Sequence, residues 1–121
     1  MINVSVSELE GAQLDWAVAV ALGLTAVIEN GMCQVLTYKD GTSETYQSRT
    51  WLAWDQAGPI IERDRIWLSD DSEGNWQAAV NGPVAPSAHN YWIGSAPLIA
   101  AMRAFVASKL GDTVEVPHGQ A

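Results

Sequence analysis

Two apolar stripes at helical spacing stand toward the two ends of this chain, and glycine, proline and aspartate cut the stretch between them into short runs. The first stripe is Leu14, Ala17, Val18, Ala21 and Leu22; the second is Leu98, Ile99, Met102, Phe105 and Val106. Both follow the i, i+3, i+4 spacing that turns one face of a helix toward a core. Ahead of the first, Ser7-Glu8-Leu9-Glu10 has the capping-box form, with Ser7 as N-cap, and its acids suit the positive end of a helix dipole. Gly23 stops that helix. Trp16 and Val20 lie off the stripe, which predicts a helix apolar on more than one face and packed between a sheet and another layer. Gly11 reads as a point of close approach to a neighbour. The second helix starts near Ser95-Ala96-Pro97, runs to Leu110 behind Lys109, and stops at Gly111.

The middle reads as β-strands. Residues 25–28, 34–38 and 42–46 are β-type runs, and Asp40-Gly41 between the last two is a hairpin signal. Residues 51–55 form an aromatic loop or a short helical turn, and Gly58-Pro59 opens a short helix through Ile60-Ile61-Glu62-Arg63. Residues 65–69 and 76–80 make a second hairpin about an acidic turn, with Trp67 and Trp76 paired across it. Residues 81–90 are a long loop, 91–93 a short apolar segment, and 113–116 a last strand. The fold class is therefore α+β, with two main helices packed on a small antiparallel sheet built from hairpins. One domain spans residues 1–121, with 117–121 a loose tail. A chain of this length buries roughly two-thirds of its unfolded surface, enough for a core without a disulfide or metal.

Charge narrows the partners. Fourteen acidic side chains stand against six basic ones, a formal net charge of −8. No cluster of Lys and Arg is present to displace phosphate counterions, which excludes direct nucleic-acid binding. The acids themselves read as solubility. The alternative is a DNA-mimicking face made of Glu8, Glu10, Asp15, Asp70, Asp71 and Glu73, directed at a nucleic-acid enzyme. No apolar run reaches the ~18 residues of a membrane span. The first residues, Met1-Ile2-Asn3-Val4-Ser5, lack the basic region of a signal peptide, so a reducing compartment is expected.

Motifs for chemistry are sparse. Cys33 stands in a β-type run beside apolar residues and reads as a buried, inert thiol. His89 in the loop and His118 in the tail belong to no nucleophilic arrangement. Asp71, Glu73 and Asn75 alternate like the start of a calcium loop, but Gly74 falls between them and the downstream glutamate is missing. With no zinc spacing and no glycine-rich phosphate loop, the expectation is no catalytic residue, no metal and no cofactor. Tryptophan is the unusual residue, six in all. Trp16, Trp67 and Trp76 sit where a core would use them. Trp51 and Trp54 have polar flanks; they read first as folding under a loop to complete a small core, and the alternative is an exposed pair that anchors a protein partner. Trp92 beside Tyr91 extends either arrangement.

Three stretches carry a family resemblance: Leu14-Asp15-Trp16-Ala17-Val18-Ala19, Gly58-Pro59-Ile60-Ile61-Glu62-Arg63, and Ala96-Pro97-Leu98-Ile99-Ala100-Ala101-Met102-Arg103 with its continuation to Pro117. In this order the chain resembles the small phage and prophage proteins of the NinX-like family, whose members have no assigned activity. Members carry a Pro-Ser-Thr stretch before the tryptophan that precedes Gly-Pro-Ile-Ile-Glu; here Thr50-Trp51-Leu52 stands in that place, ahead of Trp54. The resemblance implies a phage-derived protein in a bacterial cytoplasm and transfers no catalytic residue.

Among the shared residues, Asp15 reads as an exposed carboxylate on the first helix and Arg103 as a base at the edge of the second stripe. A cluster of Asp15, Trp54, Glu62 and Arg103 is the first place to look for a site, although a structural ion-pair network is the favoured reading of such residues. The expected function is a non-enzymatic accessory protein that binds a host or phage protein, or itself as a homodimer, through Trp51, Trp54, Asp15, Glu62 and Arg103. A DNA-mimicking inhibitor and a small enzyme with its site at a dimer interface are the alternatives.

Overall fold

The computed structural model describes residues 1–39, 41, 43–81 and 91–119. In chain order the elements are β1 (Ile2–Ser5), a 3-10 turn (Val6–Glu8), α1 (Gly11–Ala21), β2 (Ala26–Glu29), β3 (Met32–Lys39), β4 (Ser43–Ser48), α2 (Trp54–Asp64), β5 (Trp67–Asp70), β6 (Trp76–Ala79), β7 (Trp92–Gly94), α3 (Pro97–Leu110) and β8 (Thr113–Val116). The α+β class holds. Among the described residues the strands form three antiparallel sheets rather than the expected single one, ordered β1-β8, β2-β3-β4 and β5-β6-β7, and α2 is a third full helix.

The centre is α3. Ala100, Ala101 and Ala104 are buried with Leu98, Met102, Phe105 and Val106, so this helix is enclosed on more than one face. Its small side chains let strands come close. A Cβ on Gly94 of β7 would sit 2.6 Å from the Ala100 backbone nitrogen, so only glycine fits there. On the other side α1 contributes Leu14, Ala17, Val18 and Ala19 to the same core. The β1–β8 ladder pairs Ile2 with Val116 and Val4 with Val114. It places the fully buried Val116 under the helices.

Several local expectations change. The helix over the first stripe begins at Gly11, not behind Ser7, and Glu10 provides no side-chain cap. Val6 and Leu9 are both fully buried. Burying them takes a 3-10 turn and an extended Leu9-Glu10, so Ser7 becomes part of the turn and bonds Ser5 instead (2.9 Å). Gly11 is not a point of close approach, since an added Cβ meets nothing within 4 Å; its φ of +55° is what requires glycine. Pro59 lies inside α2, which starts at Trp54 so that Ala57 and Ile60 can share one buried stripe. Trp67 pairs with Ala79 and Trp76 with Asp70, so the two tryptophans are not cross-strand partners. Trp67 packs instead on Tyr91, ring centroids 5.6 Å apart. The β3–β4 hairpin forms around the expected turn, of which Asp40 and Thr42 lie outside the described residues, as does most of the expected 81–90 loop with His89. Pro117, where the loose tail was expected to begin, accepts a hydrogen bond from the Gln13 side chain (3.0 Å).

Candidate functional site

Asp15 faces inward from α1. It follows Leu14 in the middle of the apolar stripe, and its residue surface is 7% exposed, against the expected open carboxylate. Oδ1 accepts the Trp51 backbone N–H (2.8 Å) and the Thr50 hydroxyl (3.1 Å), and that hydroxyl accepts the Leu52 N–H (3.0 Å). One carboxylate thus fixes three successive residues to α1. Burial pushes the Asp15 pKa above its ordinary 3.8, and the bonds from Trp51 and Thr50 pull it partly back.

Those bonds set the two tryptophans apart. With its N–H held by Asp15, Trp51 turns into the core and is 1% exposed, while Trp54 at the start of α2 is 59% exposed. Neither arrangement holds for both tryptophans: one is a core residue and the other a surface residue. Arg49 covers the Trp51 ring from outside, its guanidinium carbon 4.7 Å from the centroid, and gives Nε to Gln56 (3.1 Å).

Beside Asp15 lies a cleft of about 360 Å³ between α1, the β2–β3 turn and residues 48–52. Its walls include Met32, Cys33 and Leu52, with Gly11 and Gly31 at the backbone turns. Cys33 is buried as expected, and burial, assisted by the Asp15 charge, pushes its thiol up to about 11. Such a thiol stays protonated and is a poor nucleophile at neutral pH.

The other expected site residues are elsewhere. Arg103 donates from Nε to the Leu9 carbonyl (2.9 Å) and from Nη1 to the Ile93 carbonyl (2.7 Å), clamping the chain before α1 and strand β7 onto α3. Burial lowers its pKa, with Glu10 acting in the opposite sense. Trp54 and Glu62 are both exposed on α2, about 12 Å apart along its axis at 1.5 Å per residue. The hydrogen bonds of Asp15 and Arg103 run to different segments, and among the described residues no hydrogen bond or salt bridge joins any two of Asp15, Trp54, Glu62 and Arg103. The acids of the imagined face are not all free at the surface. Asp15 is buried, Asp70 Oδ1 accepts the Ser72 N–H, and Asp71 Oδ1 accepts those of Glu73 and Asn75, which shapes the β5–β6 turn. Among the described residues no group of three His, Cys, Asp or Glu side chains is placed to hold a metal ion.

A second surface was not foreseen. In the β2-β3-β4 sheet, Cys33 and Val35 face the core, and the opposite face carries Val27, Met32, Leu36, Tyr38 and Tyr46. Leu36 stands opposite Tyr46 in the ladder, and Tyr38 and Tyr46 are 62% and 46% exposed. In β3 itself the outward positions Met32, Leu36 and Tyr38 are apolar or aromatic, with Gln34 as the polar residue among them.

Together these features define a small α+β protein with an acid-walled cleft and an uncovered apolar sheet face. Residues 5–109 match the family described as Bacteriophage P22, NinX, and the chain belongs to that family. No curated protein matches it. Among the described residues no helix is long and apolar enough to cross a membrane.

Proposed function

We propose that this phage-family protein is a non-enzymatic accessory factor that binds a host or phage protein through the outer face of the β2-β3-β4 sheet. The observation that carries this reading is that face: Val27, Met32, Tyr38 and Tyr46 stand exposed on adjacent strands of one sheet. Apolar area rimmed by polar residues marks interaction sites, and Tyr supplies contact area at low entropic cost. Glu29 and Glu44 stand toward the two ends of this face, and Gln34, which donates to the Ser48 hydroxyl (3.1 Å), lies between Met32 and Leu36 on the central strand. Trp54 and Glu62 offer a further contact on α2. Trp51 and Arg103 serve indirectly, by holding the 49–52 segment and strand β7 in place.

The test is affinity capture from host lysate with the wild type and a Tyr38→Ser/Tyr46→Ser variant, at low and high salt. Both positions face solvent, so the variant should keep its melting temperature within about 2 °C, the effect of a surface change of up to 0.5 kcal/mol. A partner held by the wild type at high salt and lost by the variant supports the sheet face. Equal capture by both proteins contradicts it, and a nucleic-acid enzyme released by salt supports the acidic mimic instead.

A further inference from the structure

Asp15 is only half satisfied. Both hydrogen bonds it accepts fall on Oδ1, and among the described residues Oδ2 accepts none. Oδ2 is not sealed in either, for the only buried and unbonded side-chain oxygen among those residues is on Asp64, and Asp15 lines the cleft. No ion pair reaches it: the salt bridges among the described residues join Asp64 to Arg63 and to Lys109. Arg49, on the same cleft wall, is committed to Gln56 and to the Trp51 ring. The two bonds on Oδ1 offset part of the desolvation of this carboxylate, and no donor or cation among the described residues meets Oδ2.

We infer that this cleft receives the side chain of a lysine from a protein partner, its methylene stem lying along Cys33 and Leu52 and its ammonium on Asp15 Oδ2. The inference rests on the protein-binding reading and names a chemistry for a second contact of the same partner. At about 360 Å³ the cleft is at the small end of ligand sites, which run from roughly 300 to 1,000 Å³. Its apolar walls suit an alkyl stem, and its acid suits a cation at the tip. Arginine fits less well. A guanidinium fork binds a carboxylate through both oxygens, and Oδ1 already holds two donors; one remaining oxygen suits the point charge of an ammonium. The mouth also admits a chain, since at Gly11 and Gly31 an added Cβ would meet nothing within 4 Å. The net charge of −8 favours a basic segment over an acidic one.

The experiment is an NMR titration of the ¹⁵N-labelled protein with a capped Ala-Leu-Lys-Leu-Ala peptide, with the same peptide carrying norleucine for lysine, and with putrescine. The lysine peptide should shift the amides of Gly11, Gly31 and Thr50 and bind at least tenfold more tightly than the norleucine peptide. Asp15→Asn keeps the oxygen that accepts from Trp51 and Thr50, and should fold while binding both peptides equally. No shift at those amides, equal affinity for lysine and norleucine in the wild type, or putrescine binding as tightly as the lysine peptide would each overturn the inference. Loss of the lysine effect alongside retained capture through Tyr38 and Tyr46 would remove the lysine and leave the sheet face standing.

Discussion

At the scale of single residues, Asp15 does most to organise the site and also strains it. Its pKa is raised in the fold, so its contribution to stability is fully present below its ordinary 3.8 and is lost as pH rises through the folded value. Asp15→Asn removes that dependence while keeping an acceptor. The variant's melting temperature should therefore gain on the wild type between pH 4 and pH 7, as thermal unfolding across that range will show. A gap that stays constant or closes contradicts the assignment. Asp15→Ala leaves the Trp51 N–H without its acceptor and should cost about 1–3 kcal/mol at any pH. The two neighbouring tryptophans separate in the same way. Trp51→Ala empties a core site and should cost about 3–5 kcal/mol, while Trp54→Ala should stay within about 0.5 kcal/mol, both measured by urea unfolding. The sequence does not distinguish them, because both have polar flanks. What decides is a long-range bond to residue 15, for which local composition holds no signal. That carboxylate does leave a trace, being the acid set directly after Leu14 and before Trp16, Ala17 and Val18.

At the scale of elements, periodicity located α3 and β8 nearly to the residue, because their apolar spacing and stop residues agree. Starts were harder to read. The Ser7 capping box and Pro59 are both sound local signals, yet burial of Val6 and Leu9 in one case and of Ala57 in the other overrode them. One signal was legible and passed over. Asn30-Gly31 joins β2 to β3 with φ of +54° and +74°, the primed turn that an Asn-Gly pair favours. Gly94 could not be read in advance, since its role is contact with α3. Gly94→Ala would drive a Cβ against the Ala100 backbone and should destabilise by about 1–3 kcal/mol in chemical denaturation. A neutral effect would mean that β7 does not pack as closely as described.

At the scale of the whole molecule, the α+β class was legible and the division into three sheets was not. The β1–β8 ladder joins residues more than a hundred positions apart, and no local pattern announces such a pairing. The outer face of the β2-β3-β4 sheet belongs to this scale as well, because it emerges only when register sets Tyr46 beside Leu36. The central claim is that this face meets a partner. Hydrogen exchange on the captured complex, compared with the free protein, tests it most directly. The account predicts added protection in residues 26–29, 32–38 and 44–48, with α3 and β8 unchanged. Protection confined to α3, β8 or the β5–β6 turn would contradict it.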